Sequence, residues 1–218
     1  MRNQLPALDF GRLAESFDAL PLDRHLHDGG TYRRRRFSRF VWERGATALR
    51  RLPHQTFFQS RSVNPLHGGF PRHFAPLPTS TASDPALAQL VGLFIDCLPI
   101  EEDTLWVNVH QIRVLAGEHP VGPAPEGIHS DGHDFVAIVL VRRENVVGGR
   151  SIVRDAAEAE LVSTTMESPL DAVVVDDRRT LHGVTPIRRA GPGPALRDML
   201  LLDFNRPTGS SSGSGSGS

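Results

Sequence analysis

Six short runs of β-forming residues follow one another between Leu105 and Phe204, and this pattern constrains the fold more than any other feature. The runs are LWVNVHQIRVLA, DFVAIVLVRR, GGRSIVRD, LDAVVVDD, HGVTPIRR and RDMLLLDF, separated by glycine, proline, asparagine or aspartate. Strands this short and this closely spaced are typical of a closed or sandwiched antiparallel sheet, with a barrel or jelly-roll as the leading architectures. One stretch between them, DAAEAELV, is instead predicted to be helical.

The part of the chain before Leu105 has a different pattern. Apolar residues at helical spacing predict a short helix from Leu8 to Leu20 and a second helix over residues 85–98, capped by Asp84 or Ser83. The residues between them include a segment predicted to be extended and a long loop rich in proline and glycine.

The fold class predicted from these patterns is mainly β with flanking helices (α+β). We expect a single domain over residues 1–206, with a helical N-terminal part. Residues 207–218 form a Gly/Ser tract with nothing to bury, which predicts a flexible tail or linker.

Charge and residue usage exclude several classes of mechanism. The formal net charge is −1, which gives no general attraction to nucleic acid or to an anionic membrane. Every basic residue is an arginine, so a lysine base or Schiff base is excluded. The single cysteine, Cys97, allows no disulfide within the chain, which favours a reducing cytoplasm, and its apolar flanks predict a buried thiol. No apolar run approaches the roughly 20 residues that span a bilayer.

The stretch EGIHSDGHDF, residues 126–135, crowds histidine and aspartate into the start of a predicted strand. In an extended chain, residues two apart point to the same face, so His129 and Asp131 can present an imidazole nitrogen and a carboxylate oxygen to one point. His182, which follows the AVVVDD run, is the candidate for a third ligand. Two histidines and one carboxylate on one face form the facial triad of non-haem Fe(II) oxygenases, which leaves coordination positions open for a chelating 2-oxo acid and O₂.

Four neighbouring residues offer alternatives to this ligand set. His133 lies four residues after His129, a spacing that suits zinc on a helix, but the surrounding proline and glycines disfavour a helix there. We therefore expect His133 and Asp134 to support the site or to belong to a loop. Asp176 and Asp177 are expected to close a turn or to hold His182 by hydrogen bonding.

An arginine near the end of the chain is the candidate partner for a carboxylate. Arg197 begins the RDMLLLDF run, and a bidentate arginine inside a barrel suits the distal carboxylate of 2-oxoglutarate. Arg188 and Arg189 are its rivals, although their flanks predict a loop. The basic run over residues 33–36 is interpreted as a solvated face, with a phosphate or anion site as the alternative. One or two of its arginines could face a pocket because side chains alternate along a strand.

Taken together, PEGIHSDGHDFVAIVLVRRENVVGG, DDRRTLHGVTPI and RDMLLLDF resemble a bacterial family of 2-oxoglutarate/Fe(II) dioxygenases, over roughly residues 30–206. That family includes hydroxylases of free L-isoleucine and related aliphatic amino acids, and proteins associated with biofilm and stress responses. The resemblance implies His129, Asp131 and His182 as catalytic iron ligands and Arg197 as the residue that binds 2-oxoglutarate. It also implies Fe(II), 2-oxoglutarate and O₂ as cofactors, with ascorbate as the reductant in assays, and a double-stranded β-helix (jelly-roll, cupin-like).

Three further residues are candidates for binding a substrate. The predicted strand VNVHQIRV places Val109, Gln111 and Arg113 on one face and its other residues on the opposite face. Because an interior glutamine or arginine is costly to bury without a partner, Gln111 and Arg113 are candidates for a carboxylate ligand, with a structural hydrogen-bonding role as the alternative. Glu126 is a candidate for a substrate ammonium group, or it stabilises the turn.

The reaction expected from the resemblance is hydroxylation of a small free L-amino acid, aliphatic or a thioether that is sulfoxidised, with release of succinate and CO₂. One alternative is a cupin-like metal-binding or sensing protein without turnover. A hydroxylase acting on a peptide is another. Neither nucleic acid nor a membrane is expected as a partner.

Overall fold

The computed structural model describes residues 9–26, 28–59, 69–123 and 127–207. Leu8 at the start of the first predicted helix, the substrate candidate Glu126 and the Gly/Ser tract from residue 208 onward lie outside the described residues.

Strands account for most of the regular structure. They are β1 (Arg33–Glu43), β2 (Arg50–Arg51), β3 (Thr104–Leu115), β4 (Phe135–Glu144), β5 (Val146–Gly148), β6 (Arg150–Asp155), β7 (Glu160–Thr165), β8 (Ala172–Asp176), β9 (Thr180–Val184), β10 (Ile187–Arg189) and β11 (Leu196–Asn205). The helices are α1 (Gly11–Glu15), which continues as a 3₁₀ turn (Ser16–Ala19), α2 (Thr79–Ala82) and α3 (Pro85–Asp96).

The strands form one large and two small antiparallel sheets. The large sheet has the order β2-β1-β3-β11-β4-β8, and the small ones are β7-β6-β9 and β10-β5. Both small sheets pack against the same face of the large one. Val153 of β6 lies in an apolar cluster with Val136 and Met199 of the large sheet. Ile187 of β10 lies in a second cluster with Ile112 of the same face. The mainly β prediction is therefore confirmed, as is each of the six predicted runs.

The helices cover the opposite face of the large sheet. Leu87, Leu90 and Phe94 of α3 pack with Val109 of β3 and Leu202 of β11 in the largest apolar cluster of the described chain. The amphipathic spacing that predicts this helix is the spacing that places these side chains on one side. A predicted cap is confirmed as well, since the Ala86 N–H donates to Asp84 Oδ1 at 2.9 Å.

The prediction of a helix over DAAEAELV is wrong. Asp155 Oδ1 accepts hydrogen bonds from the N–H groups of Ala157 and Ala159, both at 2.9 Å, and closes a tight turn. The chain then returns as β7, which pairs with β6. Alanine and glutamate favour a helix only weakly, and the aspartate turn together with strand pairing outweighs that preference.

Two smaller expectations also need correction. Cys97 is exposed, because α3 ends at Asp96 and the thiol follows the helix rather than facing the core. Arg188 and Arg189 lie in the short strand β10 rather than in a loop. No helix within the described ranges is long and apolar enough to cross a membrane.

A buried ion pair joins the N-terminal segment to β1. Arg33 Nε lies 2.8 Å from Asp23 Oδ2, with both side chains almost completely buried. Burial raises the pKa of Asp23, but the neighbouring Arg33 and Arg35 outweigh it, so the pKa is lowered from its ordinary value. Because the folded pKa lies below the unfolded one, the pair stabilises the fold fully above about pH 4 and loses this effect as the pH falls further.

Replacing Asp23 is therefore expected to destabilise the fold strongly. Asp23→Ala leaves Arg33 as a buried charge without its partner, which costs about 3–5 kcal/mol in free energy of unfolding. Asp103→Ala is the matched control, because Asp103 pairs with Arg44 at 3.0 Å with both side chains exposed, and such pairs contribute less than about 1 kcal/mol. Urea unfolding at pH 7 measures both, and equal losses would contradict the assignment.

Candidate active site

The two histidines of the predicted triad meet through their backbones. The His129 N–H donates to the carbonyl of His182 at 2.9 Å, and the His182 N–H donates to the carbonyl of His129 at 2.7 Å. His182 lies in β9, so this bridge attaches the segment that carries His129 to the edge of a small sheet. Their ring centroids are consequently only 4.9 Å apart.

Asp131 completes the cluster. Its Oδ2 lies 3.3 Å from His182 Nε2, and its Oδ1 lies 3.5 Å from His129 Nε2. One potential ligand atom from each of the three residues lies within 4.8 Å of the other two. The structure thus brings together the three residues that the sequence singles out as metal ligands.

A glycine makes this close approach possible. Gly183 follows His182 in β9, and a Cβ atom at this position would lie 2.7 Å from the carbonyl oxygen of Gly127 and 2.7 Å from Ile128 Cδ1. Any side chain there would push the segment carrying His129 away from β9.

Asp177 organises the loop that carries the triad. Its carboxylate accepts hydrogen bonds from the N–H groups of His133 at 2.9 Å and Asp131 at 3.2 Å, and from Ser130 Oγ at 3.1 Å. It also lies 3.4 Å from His182 Nδ1, an ion-pair contact rather than an aligned hydrogen bond.

Asp176 has a different role from its neighbour. It accepts a hydrogen bond from the Arg178 N–H at 3.3 Å and lies 3.6 Å from Arg179 Nε, so it closes the turn after β8. The two roles proposed for the Asp176-Asp177 pair are thus divided between them.

The electrostatics of the triad favour positive charge. Burial lowers the pKa of His182, but Asp131 and Asp177 outweigh burial and raise it to about 10. Burial likewise opposes ionisation of Asp131, yet His129 and His182 hold its pKa well below the usual range. A charged carboxylate between two imidazoles is an environment that also suits a bound cation.

His133 points away from the triad. Its Nε2 lies 3.1 Å from Asp203 Oδ2, and its Nδ1 lies 2.9 Å from Asn205 Oδ1, both on β11. Asp134 pairs with Arg178 at 3.0 Å and accepts the Arg206 N–H at 2.7 Å. Both residues therefore fix the loop to its surroundings, as expected from the sequence.

Arg197 shares a cavity of about 110 Å³ with the three triad residues. Its side chain is 2% exposed, and neither Nε nor Nη2 has a hydrogen-bond partner in the described part of the chain. Burial, with a smaller contribution from Arg143, lowers the pKa of Arg197 to about 10. By contrast, its rival Arg188 is exposed, and Arg189 pairs with Glu118 at 2.8 Å.

The expectation that Gln111 and Arg113 bind a substrate carboxylate needs correction. Both side chains lie on the face of β3 that packs against the N-terminal helical segment, away from the cavity. Gln111 Nε2 donates to Ser16 Oγ at 2.6 Å, and Arg113 donates to both carboxylate oxygens of Asp198 at 2.7 and 2.8 Å. Their partners come from distant segments, and the alternative structural role describes both.

Sequence reasoning missed most of the polar wall opposite the triad. Arg33 and Arg35 are buried and line the cavity, whereas the sequence favours a solvated face for most of the basic run over residues 33–36. Gln59 Nε2 donates to the carbonyl of Asp131 at 3.1 Å and to its Oδ1 at 3.3 Å, and Arg72 donates to Gln59 Oε1. The alternation of side chains along β1 could have identified the two arginines. Gln59 and Arg72 lie in loops, where no sequence pattern indicates which way a side chain points.

The chain is similar to two characterised enzymes. It is 27% identical over 156 residues to a 3(1)-hydroxy-L-isoleucine 4-dioxygenase of Pantoea ananatis (strain AJ13355), which covers 68% of this chain and 63% of that enzyme. It is 26% identical over 156 residues to the L-isoleucine-4-hydroxylase of Bacillus thuringiensis, which covers 68% of this chain and 65% of that enzyme. The match thus spans just under two thirds of either relative.

Solved structures show the same architecture. A bsmA homologue from Methylobium petroleophilum PM1 has 33% sequence identity and a TM-score of 0.79, with 90% of this chain and 80% of that chain covered. IDO from Bacillus thuringiensis has 21% identity and a TM-score of 0.70, with 89% and 81% covered, and supports the fold alone. The predicted jelly-roll, or double-stranded β-helix, is confirmed.

The family assignment follows from the extent of the match. The family model for 2OG-Fe dioxygenases matches residues 14–203, which include all of the triad and Arg197. Fe(II), 2-oxoglutarate and O₂, the cofactors predicted from the sequence, are those that this family implies. The chain belongs to the 2OG-Fe dioxygenase family.

Proposed function

We propose that the protein is an Fe(II)- and 2-oxoglutarate-dependent dioxygenase that hydroxylates a small free L-amino acid. His129, Asp131 and His182 would hold the metal, because two imidazoles and one carboxylate on one face are the donor set that non-haem Fe(II) oxygenases use. The separation of at most 4.8 Å between their ligand atoms fits a single ion.

The observation that carries this proposal is Arg197. A guanidinium that is 2% exposed with two unpartnered nitrogen atoms is costly unless an anion binds it. It lines the same cavity as the triad, so a dicarboxylate held at the metal would bring its distal carboxylate to Arg197. A protein that only stored or sensed a metal would have no need for this buried cation.

The residues of this chain bind and orient the ligands, and they exclude water from the site. A metal held by the triad would activate O₂, the oxidant, while 2-oxoglutarate as the electron donor would be converted to succinate and CO₂, with one oxygen atom going to succinate and the other to the substrate. Asp177 fixes the loop of the triad through three hydrogen bonds, and Gln59 holds Asp131 from the other side. The cavity walls, including Met199 and Leu201, keep the reacting C–H bond in a largely dry space.

The substrate class rests on the relatives and on the cavity. Both characterised relatives are named for reactions on isoleucine or hydroxyisoleucine. A cavity of about 110 Å³ with Ile112, Val114 and Ile138 in its wall suits a small aliphatic side chain. A thioether of similar size would fit the same wall, with sulfoxidation as the reaction.

The first test is turnover. With Fe(II), ascorbate and 2-oxoglutarate, we expect one or more members of a panel of free L-amino acids to stimulate succinate formation, with a matching gain of one oxygen atom by mass spectrometry. His129→Ala and Asp131→Ala should reduce both signals to the blank. Binding of 2-oxoglutarate without succinate for any amino acid would favour a peptide substrate, and no binding of 2-oxoglutarate would favour a metal-binding protein without turnover.

A second test separates Arg197 from its rivals. Arg197→Ala removes the partner of the distal carboxylate, so the KM for 2-oxoglutarate should rise at least about 30-fold, equivalent to about 2 kcal/mol. Arg188→Ala is the matched control, because Arg188 is exposed on β10, and should leave this KM unchanged. The reverse result would assign the co-substrate to β10 instead.

A third test concerns the support of the metal ligands. Asp177→Asn keeps the size of the side chain but replaces one accepting oxygen with a donor, so the affinity for Fe(II) or Mn(II) should fall about 10- to 100-fold. The adjacent Asp176→Asn should bind metal as the wild type does, since the carboxylate of Asp176 contacts Arg178 and Arg179 of the following turn. Metal titration of the purified apoproteins measures both, and equal affinities would refute a supporting role for Asp177.

A further inference from the structure

Besides Arg197, the cavity is lined by another buried arginine for which the proposed metal and co-substrate contacts give no role. Arg35, on β1, is 8% exposed and lines the cavity together with the triad. Its Nη2 donates to His110 Nδ1 at 2.9 Å, and its Nε has no hydrogen-bond partner among the residues described. Within the same part of the chain, no carboxylate lies within ion-pair distance of Arg35.

The nearby carboxylates compensate this charge only in part, because each of them already has a closer partner. Asp23 is paired with Arg33, and Asp203 lies between His110 at 3.2 Å and His133 at 3.1 Å. Burial and the proximity of Arg35 lower the pKa of His110 to about 4, so the imidazole is neutral at pH 7. Burial, followed by repulsion from Arg33, also lowers the pKa of Arg35 to about 10, the direction expected for a cation that lacks an anion.

Aromatic rings fix the orientation of the guanidinium. Its central carbon lies 4.4 Å from the centroid of Phe74 and 5.5 Å from that of Phe57. The Arg72 guanidinium also packs on Phe57, with its central carbon 4.7 Å from the ring centroid. Arg72 donates a hydrogen bond to Gln59, and Gln59 donates one to Asp131. Arg35 is therefore held rigidly at the wall of the cavity that adjoins the triad.

Arg35 and Arg197 lie at different places in the cavity wall. β1 and β11 lie on opposite sides of β3, so the two strands are about 10 Å apart. Arg35 pairs across β1–β3 with Ile112, which pairs with Met199, so Arg35 is also displaced along the sheet from Arg197. A dicarboxylate that extends from the metal to Arg197 would leave Arg35 free for a second ligand.

We propose that Arg35 binds the carboxylate of the substrate and so selects free amino acids over amides and internal residues of peptides. The inference rests on the proposed function and names the substrate contact of the same site. A free amino acid supplies one carboxylate, whereas a carboxamide or a residue within a peptide supplies none. Planar donors that a carboxylate can engage bidentately are characteristic of arginine, so lysine would be a poor replacement.

The test compares each acid with its amide. Calorimetric titration of protein loaded with Mn(II) and 2-oxoglutarate would use L-isoleucine and L-isoleucinamide, and the same pairs for L-leucine and L-methionine. We expect the wild type to bind the best acid at least about 30-fold more tightly than its amide. In Arg35→Gln this ratio should fall close to one, while the affinity for 2-oxoglutarate stays within about twofold of wild type.

Two further variants keep the result decisive. Arg34→Gln is the matched control, because Arg34 is the next residue of β1 and its side chain alternates to the opposite face, so its acid-to-amide ratio should equal that of wild type. Arg35→Met keeps an apolar side chain against Phe57 and Phe74. This variant is used in the same titration if Arg35→Gln no longer binds 2-oxoglutarate.

The outcomes distinguish this inference from the function on which it rests. If the wild type prefers the acid and the Arg35 variants keep that preference, the assignment of Arg35 is overturned and the proposed function stands. If amides or peptides bind and are oxidised as well as acids, both the selectivity and the free amino acid substrate are overturned. Loss of the preference in the Arg35 variants alone supports the inference.

Discussion

The antiparallel backbone contact between His129 and His182 is the constraint on which the rest of the site depends. It brings two imidazoles close together, and it requires glycine at position 183, where a Cβ would meet the Gly127 carbonyl. Asp131 then reaches both rings because it lies two residues after His129 in an extended segment. Asp177 stabilises this geometry from outside the cluster through hydrogen bonds to the loop backbone. The backbone pairing thus preorganises the cluster of His129, Asp131 and His182, which would lower the cost of binding a metal there.

Positive charge in the cavity opposes stability and serves binding. Arg35 and Arg197 are buried with unpartnered nitrogen atoms, which destabilises the folded chain relative to a cavity of apolar side chains. The cost is offset on the other side of the large sheet, where α3 packs against β3 and β11 in an extensive apolar cluster. The largest apolar cluster and the buried arginines of the cavity thus lie on opposite faces of one sheet.

Local patterns predicted what depends on local geometry. The triad, Arg197 and the strands were accessible because spacing of two in an extended segment and short β-type runs have direct structural meanings. The sequence did not show which face of β3 lines the cavity. Alternation separates Gln111 and Arg113 from His110 and Ile112, but it does not show which pair faces the cavity. The Gln111 amide nitrogen and the Arg113 guanidinium donate to Ser16, Asp18 and Asp198, partners from segments distant in sequence. For β1, alternation likewise predicted that one or two arginines could face a pocket, but it did not show which ones.

The two halves of the chain contribute different parts of the chemistry. Every residue assigned to the metal and to 2-oxoglutarate lies after residue 128, on β9, β11 and the loop before β4. Arg35, Gln59 and Arg72, which line the opposite wall, come from β1 and the loops that follow it. β1 extends the large sheet at one edge, next to β3, and its register with β3 places Arg35 beside Ile112 in the cavity. Because this wall can change without disturbing the pairing of His129 with His182, substrate choice can vary within such a fold while the oxidising centre stays fixed.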